Sequence, residues 1–231
     1  MFEFKQFKIH QDRCAQKVTE IACIQGAWTP ISPEQKQVLD IGSGTGLLSL
    51  MLAQRFPHIQ IDALELDALA FSQLEENINA SPFTNRIKPL LGDVKTFDIN
   101  KQYDFIIVNP PFHEKQLTSN NSRKNQAWHS DELNLFQLIT AIKRLIYKDG
   151  VCSILLPSYR QTELIETCEE FNLYSSTILE VAHSELHPVK LNICLFSSIK
   201  NTKEITRFDI KKDQEYTEAM KSLMQAFYQK Y

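Results

Sequence analysis

Short apolar runs alternate with longer amphipathic stretches along this chain of 231 residues, the rhythm of an α/β sheet carrying helices on both faces. "QVLDIG" and "IQIDALEL" read as strands, separated by the helix "GLLSLMLAQRF". A second helix, "DALAFSQLEENINAS", leads into the strand "RIKPLLGD", and "YDFIIVN" makes a fourth strand. "ELNLFQLITAIKRLIYKDG" reads as a helix stopped by Gly150, and "VCSILLP" as a fifth strand. After a helix near 160–171, "LYSSTILEVA" and "LNICLFSS" are two strands close enough in sequence to pair antiparallel. The pattern predicts a seven-stranded, mostly parallel sheet in one domain: a core over 36–200, an extension over 1–30, and another over 201–231 ending in the helix "QEYTEAMKSLMQAFYQKY". Phe2, Phe4, Phe7 and Ile9, with Trp28, are expected to face the core.

Composition narrows the classes. With 43% hydrophobic and 23% charged residues the chain buries a sizeable core, which argues against disorder. A formal net charge of −3 argues against a uniformly basic coat, so a polyanion partner has to be met by a local basic patch. Cys14, Cys23, Cys152, Cys168 and Cys194 are odd in number and scattered, with no Cys-x-x-Cys spacing; they read as reduced packing residues of a cytoplasmic protein. No leader-like start and no run of about eighteen apolar residues is present, so a soluble, unexported protein is expected. "HSELH" holds His183 and His187 four apart, in the wrong order for a zinc helix and with no third ligand, and reads as a surface loop; no metal is expected. Lys143/Arg144 and Lys211/Lys212 read as solvated faces.

Two stretches carry chemistry. In "VLDIGSGTG", residues 38–46, a strand ends at Asp40 and Ile41, and Gly42, Gly44 and Gly46 let the backbone turn tightly and a ligand approach. Glu65, at the end of the next strand, is placed to accept hydrogen bonds from a ribose diol. The third glycine comes one residue too early for a dinucleotide loop. Asp40 adds a negative charge that repels phosphate and suits an ammonium. S-adenosylmethionine has adenosine, an ammonium and no phosphate. The second stretch, "NPPF" at 109–112, follows a buried strand, where two prolines force the chain out of the sheet in a rigid turn. Asn109 and a proline carbonyl there accept from an exocyclic NH₂, and Phe112 offers a face to a planar group taken out of its stack. The loop from Lys115 to Trp128 adds Lys115, Arg123 and Lys124 as candidate phosphate contacts.

"DIGSGTG", "ELD", "GD" at 92–93 and "NPPF" together resemble the class I methyltransferases with an [Asn/Asp]-Pro-Pro-aromatic site. Within them the chain most resembles the bacterial tRNA(Val) adenine-N(6) methyltransferases that act at position thirty-seven, through "FKQFKIHQDRCAQKV", "GAW", "NINASPFTNRI" and "DQEYTEAMKSLMQAFY". The resemblance implies a Rossmann-like fold, S-adenosylmethionine as cofactor and tRNA as substrate. It implies that Asp40, Gly42, Gly44, Gly46, Glu65, Asp93 and Asn109 surround the cofactor, that Asn109, Pro110, Pro111 and Phe112 grip adenine, and that Lys115, Arg123, Lys124 and Trp128 meet the tRNA. The chain departs from the family pattern at Ile21 and Ala22, where Thr-Asp-Gly is expected before "LLGAW", and at Trp128, where an arginine is common.

Three alternatives remain open on the residues alone. A guanine-N(2) ribosomal RNA methyltransferase shares NPPF but usually carries a second domain. A glutamine methyltransferase of release factors uses NPPY and a helical N-terminal domain longer than the first 30 residues. An inactive cofactor-binding module that only holds RNA is disfavoured by intact Asn109 and both prolines.

Overall fold

Val38 and Leu39 point to opposite faces of one strand, and both are fully buried, as a sheet covered on two sides requires. The computed structural model describes residues 1–14, 17–97, 101–110 and 133–228. That strand, β3 (Gln37–Ile41), follows the hairpin of β1 (Phe2–Glu3) with β2 (Lys8–Ile9) and helix α1 (Glu20–Trp28). After it come α2 (Leu47–Arg55), β4 (Gln60–Glu65), α3 (Ala68–Asn79), β5 (Ile87–Leu91) and β6 (Tyr103–Val108). Then α4 (Leu135–Leu145) precedes β7 (Ile146–Pro157), α5 (Gln161–Glu170), β8 (Tyr174–Ala182), β9 (Val189–Ser197) and β10 (Glu204–Asp209). The last elements are the hairpin β11 (Lys211–Lys212) with β12 (Glu215–Tyr216), and α6 (Glu218–Met224).

The main sheet runs β10-β8-β9-β7-β6-β3-β4-β5. Only β9 is antiparallel to its neighbours. Val38, Phe105 and Ile107 pack on one face with α1, α2, α3 and α6. Leu39, Ile106 and Val108 pack on the other with α4 and α5. Helix α4 starts on a reciprocal cap in which the Asn134 side chain takes the Gln137 N–H and the Gln137 side chain returns the bond.

The α/β class, the mostly parallel sheet and the helices on both faces are as expected, but three boundaries differ. The sheet has an eighth strand, β10, paired parallel with β8 from Glu204↔Thr177 to Asp209↔Ala182. "EITRFD" is a largely exposed edge strand, without the apolar alternation that marks a half-buried one. Second, α4 ends at Leu145, and Gly150 is not its stop. Tyr103 pairs with Ile146 and Phe105 with Val151, so residues 147–150 bulge out of the register. A Cβ on Gly150 would lie 2.5 Å from Ile146 Cγ1 and 3.1 Å from the carbonyl oxygens of Tyr103 and Asp104; close backbone approach explains this glycine. Third, the terminal helix is short because Glu215 and Tyr216 form a hairpin strand before the Thr217 cap.

Phe4, Phe7 and Ile9 are buried as expected. Phe4 stacks on Phe7 at 4.6 Å and meets Phe227 edge-on, so the two chain ends close against each other. All five cysteines are buried free thiols. Burial pushes Cys23, Cys152 and Cys194 up to about 12, fitting packing residues without nucleophilic character. Among the described residues no helix is long and apolar enough to cross a membrane, and His183 and His187 lie exposed between β8 and β9.

Candidate active site

Strands β6, β3, β4 and β5 are adjacent and parallel, so their carboxyl ends open on one edge, where α/β sheets bind ligands. That edge collects Asn109, the turn after Asp40, Glu65 and Asp93, residues far apart in the sequence. The turn is held by Gly42 N–H and Ser43 N–H, which both donate to the Leu64 carbonyl, at 2.8 and 3.0 Å. Gly42, Gly44 and Gly46 all have positive φ. At Gly42 (φ 67°) a Cβ would meet nothing within 4 Å, so conformation demands the glycine and open space flanks it. At Gly46 (φ 83°) a Cβ would come within 2.8 Å of Leu74 Cδ1, so sterics demand it too.

Asp40 lies beneath this turn with 1% of its surface exposed. Its Oδ2 accepts from Ser49 Oγ at 2.7 Å and Ser49 N at 3.2 Å, whereas Oδ1 is buried with no partner among the described residues. Burial pushes its carboxyl up to about 6, against the downward pull of the Ser49 bonds.

Glu65 stands at the end of β4, as expected, but its carboxylate is occupied. Oε2 accepts from Gly44 N at 2.8 Å, and Oε1 from Leu66 N and Asp67 N at 2.8 and 2.9 Å. A carboxylate has about four acceptor positions; a diol therefore has to share or displace the Gly44 bond. Asp93 is likewise turned to its own loop, accepting from Lys95 N at 2.9 Å and pairing with Lys95 Nζ at 3.4 Å. Arg144, expected on a solvated face, instead braces this loop by donating to the Val94 carbonyl at 2.7 Å.

Asn109 is half-buried, and its side chain makes no hydrogen bond among the described residues. Pro110 follows, buried. The expected positions Pro111, Phe112, Lys115, Arg123, Lys124 and Trp128 lie outside the described residues.

Sequence reasoning missed three polar side chains. Gln25 on α1 donates to the Val108 carbonyl at 3.1 Å, directly behind Asn109; the lone amide in the apolar run "IACIQGAW" was the available signal. Asn77 on α3 binds both backbone groups of His10, each at 2.9 Å, and donates to the Thr45 carbonyl in the glycine turn at 2.9 Å. One turn earlier, Gln73 accepts from Arg13 N at 2.9 Å. The segment from His10 to Arg13 is thus strapped across α3 beside the turn. It delivers Cys14, whose thiol is pushed up to about 11 by burial and by the nearby Glu65 carboxylate.

A cleft of about 640 Å³ lined by Lys36, Gln37, Asp104 and Lys148 lies at the amino ends of the strands. It is on the edge opposite the glycine turn, and ligands of such sheets bind at the carboxyl edge.

The family model described as "Methyltransferase small domain" matches residues 28–129, the span that builds this edge. Among solved structures, a predicted O-methyltransferase from Agrobacterium tumefaciens superposes with a TM-score of 0.68 at 13% identity, over 88% of this chain and 95% of that one. A glycopeptide N-methyltransferase in complex with S-adenosylmethionine gives 0.58 at 10% identity, over 82% and 99%. Those likenesses show the fold. Sequence relatives reach further: the tRNA1(Val) (adenine(37)-N6)-methyltransferase of Flavobacterium psychrophilum is 35% identical over 100% of both chains. That of Klebsiella pneumoniae is 36% identical over 98% of this chain and 94% of its own. With its glycine turn, its Asn-Pro-Pro strand end and similarity that runs from end to end, the chain belongs to the tRNA1(Val) (adenine(37)-N6)-methyltransferase family.

Proposed function

We propose that this chain transfers a methyl group from S-adenosylmethionine to the N6 amine of adenine 37 in tRNA1(Val), in the cytoplasm. The observation that carries the reading is the half-buried side chain of Asn109 at the end of β6, without a hydrogen bond among the described residues and one strand away from the glycine turn at the end of β3. The residues at that turn fit the cofactor. Asp40 has a buried oxygen without a partner among the described residues, which suits an ammonium, and the open flank of Gly42 admits a ligand close to the backbone. Gly44, Gly46, Glu65 and Asp93 would complete the cradle, with Glu65 sharing or giving up its Gly44 bond to receive a ribose diol.

S-adenosylmethionine would supply a methyl group activated on a sulfonium, the N6–carbon bond forming as the carbon–sulfur bond breaks, with S-adenosylhomocysteine leaving and one N6 proton passing to water, so the protein needs neither a nucleophile nor a strong base. What remains is positioning. Asn109 Oδ1 and the Pro110 carbonyl accept the two N6–H bonds and turn the nitrogen lone pair toward the methyl carbon. Pro110 keeps its carbonyl while its ring holds φ, which limits the motion that spoils in-line attack. Phe112 would offer its ring face to the extruded adenine. Lys115, Arg123, Lys124 and Trp128 meet the backbone and a neighbouring base of the anticodon loop, a single strand where unstacking costs little.

Two measurements test the reading. Calorimetry should find S-adenosylmethionine and S-adenosylhomocysteine bound in preference to NAD; equal or tighter NAD binding rejects the cofactor assignment. Asn109→Ala should lower methyl transfer to tRNA by at least about a hundredfold, the scale of losing a group that positions and stabilises the reacting atoms. Near-normal turnover in that variant rejects the role given to Asn109.

A further inference from the structure

Gln25 is fully buried on α1 among Ala22, Cys23, Ile24 and Ala27. Its orientation follows from its neighbour: the Val108 carbonyl, 3.1 Å away, accepts only, so the amide nitrogen faces it. The same nitrogen lies 3.3 Å from Ser153 Oγ, which is 3.1 Å from Thr29 Oγ1. Both hydroxyl residues are fully buried, and together they pin the amide. The amide oxygen is left over. Gln25 Oε1 is buried with no hydrogen-bond partner among the described residues, and an orphaned buried acceptor, costly to desolvate, calls for an explanation.

Asn109 has the matching deficiency. It follows the Val108 carbonyl directly in the chain, and Pro110 after it keeps its backbone extended. Asn109 is the first residue past β6; continued one step, the strand's two-residue period assigns it to the face of Phe105 and Ile107, whose apolar cluster includes α1. The Gln25 amide is therefore bonded to the very peptide group that carries Asn109. A side-chain amide that receives a substrate amine must present its oxygen, and nothing in Asn109 itself decides which end it turns outward.

We propose that Gln25 is a positioning residue for Asn109: its buried Oε1 accepts a hydrogen bond from Asn109 Nδ2 when the target amine binds, leaving Asn109 Oδ1 to face that amine. The bond forms in the substrate complex by rotation of the Asn109 side chain, as hydrogen bonds of active sites commonly tighten there. The inference rests on the adenine-N6 reading of Asn109.

The test is a double-mutant cycle on the full chain with tRNA1(Val) transcript. Gln25→Leu keeps the volume and removes both polar atoms. It should lower kcat at saturating cofactor and tRNA by about tenfold, with S-adenosylmethionine affinity held within about twofold. In the Asn109→Ala background the same change should add nothing, because its only route to the reaction is already gone. Ser153→Ala, which removes only the hydroxyl that steadies the Gln25 amide, should give a smaller loss in the same parameter. Should Gln25→Leu not fold, Gln25→Met and Ser153→Ala carry the same cycle. An unchanged kcat, or a loss that multiplies with that of Asn109→Ala, overturns the role of Gln25 while leaving the methyltransferase reading intact. A parent protein that binds S-adenosylmethionine but methylates no tRNA overturns the adenine reading, and this inference with it.

Discussion

Asp40 has one carboxylate oxygen bonded twice to Ser49 and another with no partner among the described residues, in a place from which water is excluded. Burial holds its carboxyl up near 6, so the fold favours the protonated form. The sign follows from linkage: with the folded value above the unfolded one, the stability this group contributes is full below about 4 and is lost as pH rises through about 6. On the proposed reading, an ammonium at Oδ1 would reverse that preference. S-adenosylmethionine affinity should therefore rise with pH, by up to about tenfold per unit below pH 6, and level off above it. Calorimetry between pH 5 and 7 in two buffers of different ionisation enthalpy should show proton release on binding at the acid end, and Asp40→Asn should abolish both effects. Affinity flat across that range would place the ammonium elsewhere.

At the scale of elements, the strap from His10 to Arg13 is tied to α3 by two side chains on successive turns. Asn77 also reaches the Thr45 carbonyl of the glycine turn, so one side chain links strap, helix and turn. Asn77→Ala leaves three hydrogen-bonded backbone groups without their partner, each worth about 0.5–1.5 kcal/mol. A lower Tm and a weaker S-adenosylmethionine complex are expected together, with kcat at saturating cofactor preserved. Lowered kcat with unchanged cofactor affinity would detach the strap from the cofactor site. This is also the scale at which sequence and structure part. The turns at Gly42, Gly44 and Gly46 were legible because positive φ is a local demand that glycine alone meets freely, and the strand before Asn109 because two prolines end it. Gly150 misled because a glycine after an amphipathic run looks like a helix stop, whereas here it lets the backbones of Tyr103 and Asp104 approach. β10 was invisible because an edge strand need not alternate. Gln25 and Asn77 act across 83 and 67 residues of separation, and no local pattern records such a partner. Glu65 was placed correctly at the end of its strand, but its closure onto Gly44 was not foreseeable from spacing.

For the molecule as a whole, the net charge of −3 offers an RNA no overall attraction, so the proposed reading needs a local basic patch, with Arg123 and Lys124 as its candidates. Exchanging Arg123 and Lys124 for alanine should weaken binding of an anticodon stem-loop and flatten its salt dependence, the slope falling by about one for each phosphate no longer neutralised. S-adenosylmethionine affinity should not change. Filter binding across a salt series reads this directly, and slopes equal to those of the parent would assign the phosphates to another basic patch.

The proposed reaction alters one atom of one nucleotide. Unmodified tRNA1(Val) is incubated with the purified chain and S-adenosylmethionine, digested with a base-specific ribonuclease, and its fragments and nucleosides are sequenced by mass spectrometry. A single added methyl group is expected, on N6 of adenine 37, absent when that base is guanine. A methyl group on guanine N2, one found only on a release-factor glutamine offered in the same reaction, or none at all with S-adenosylmethionine bound, would contradict it.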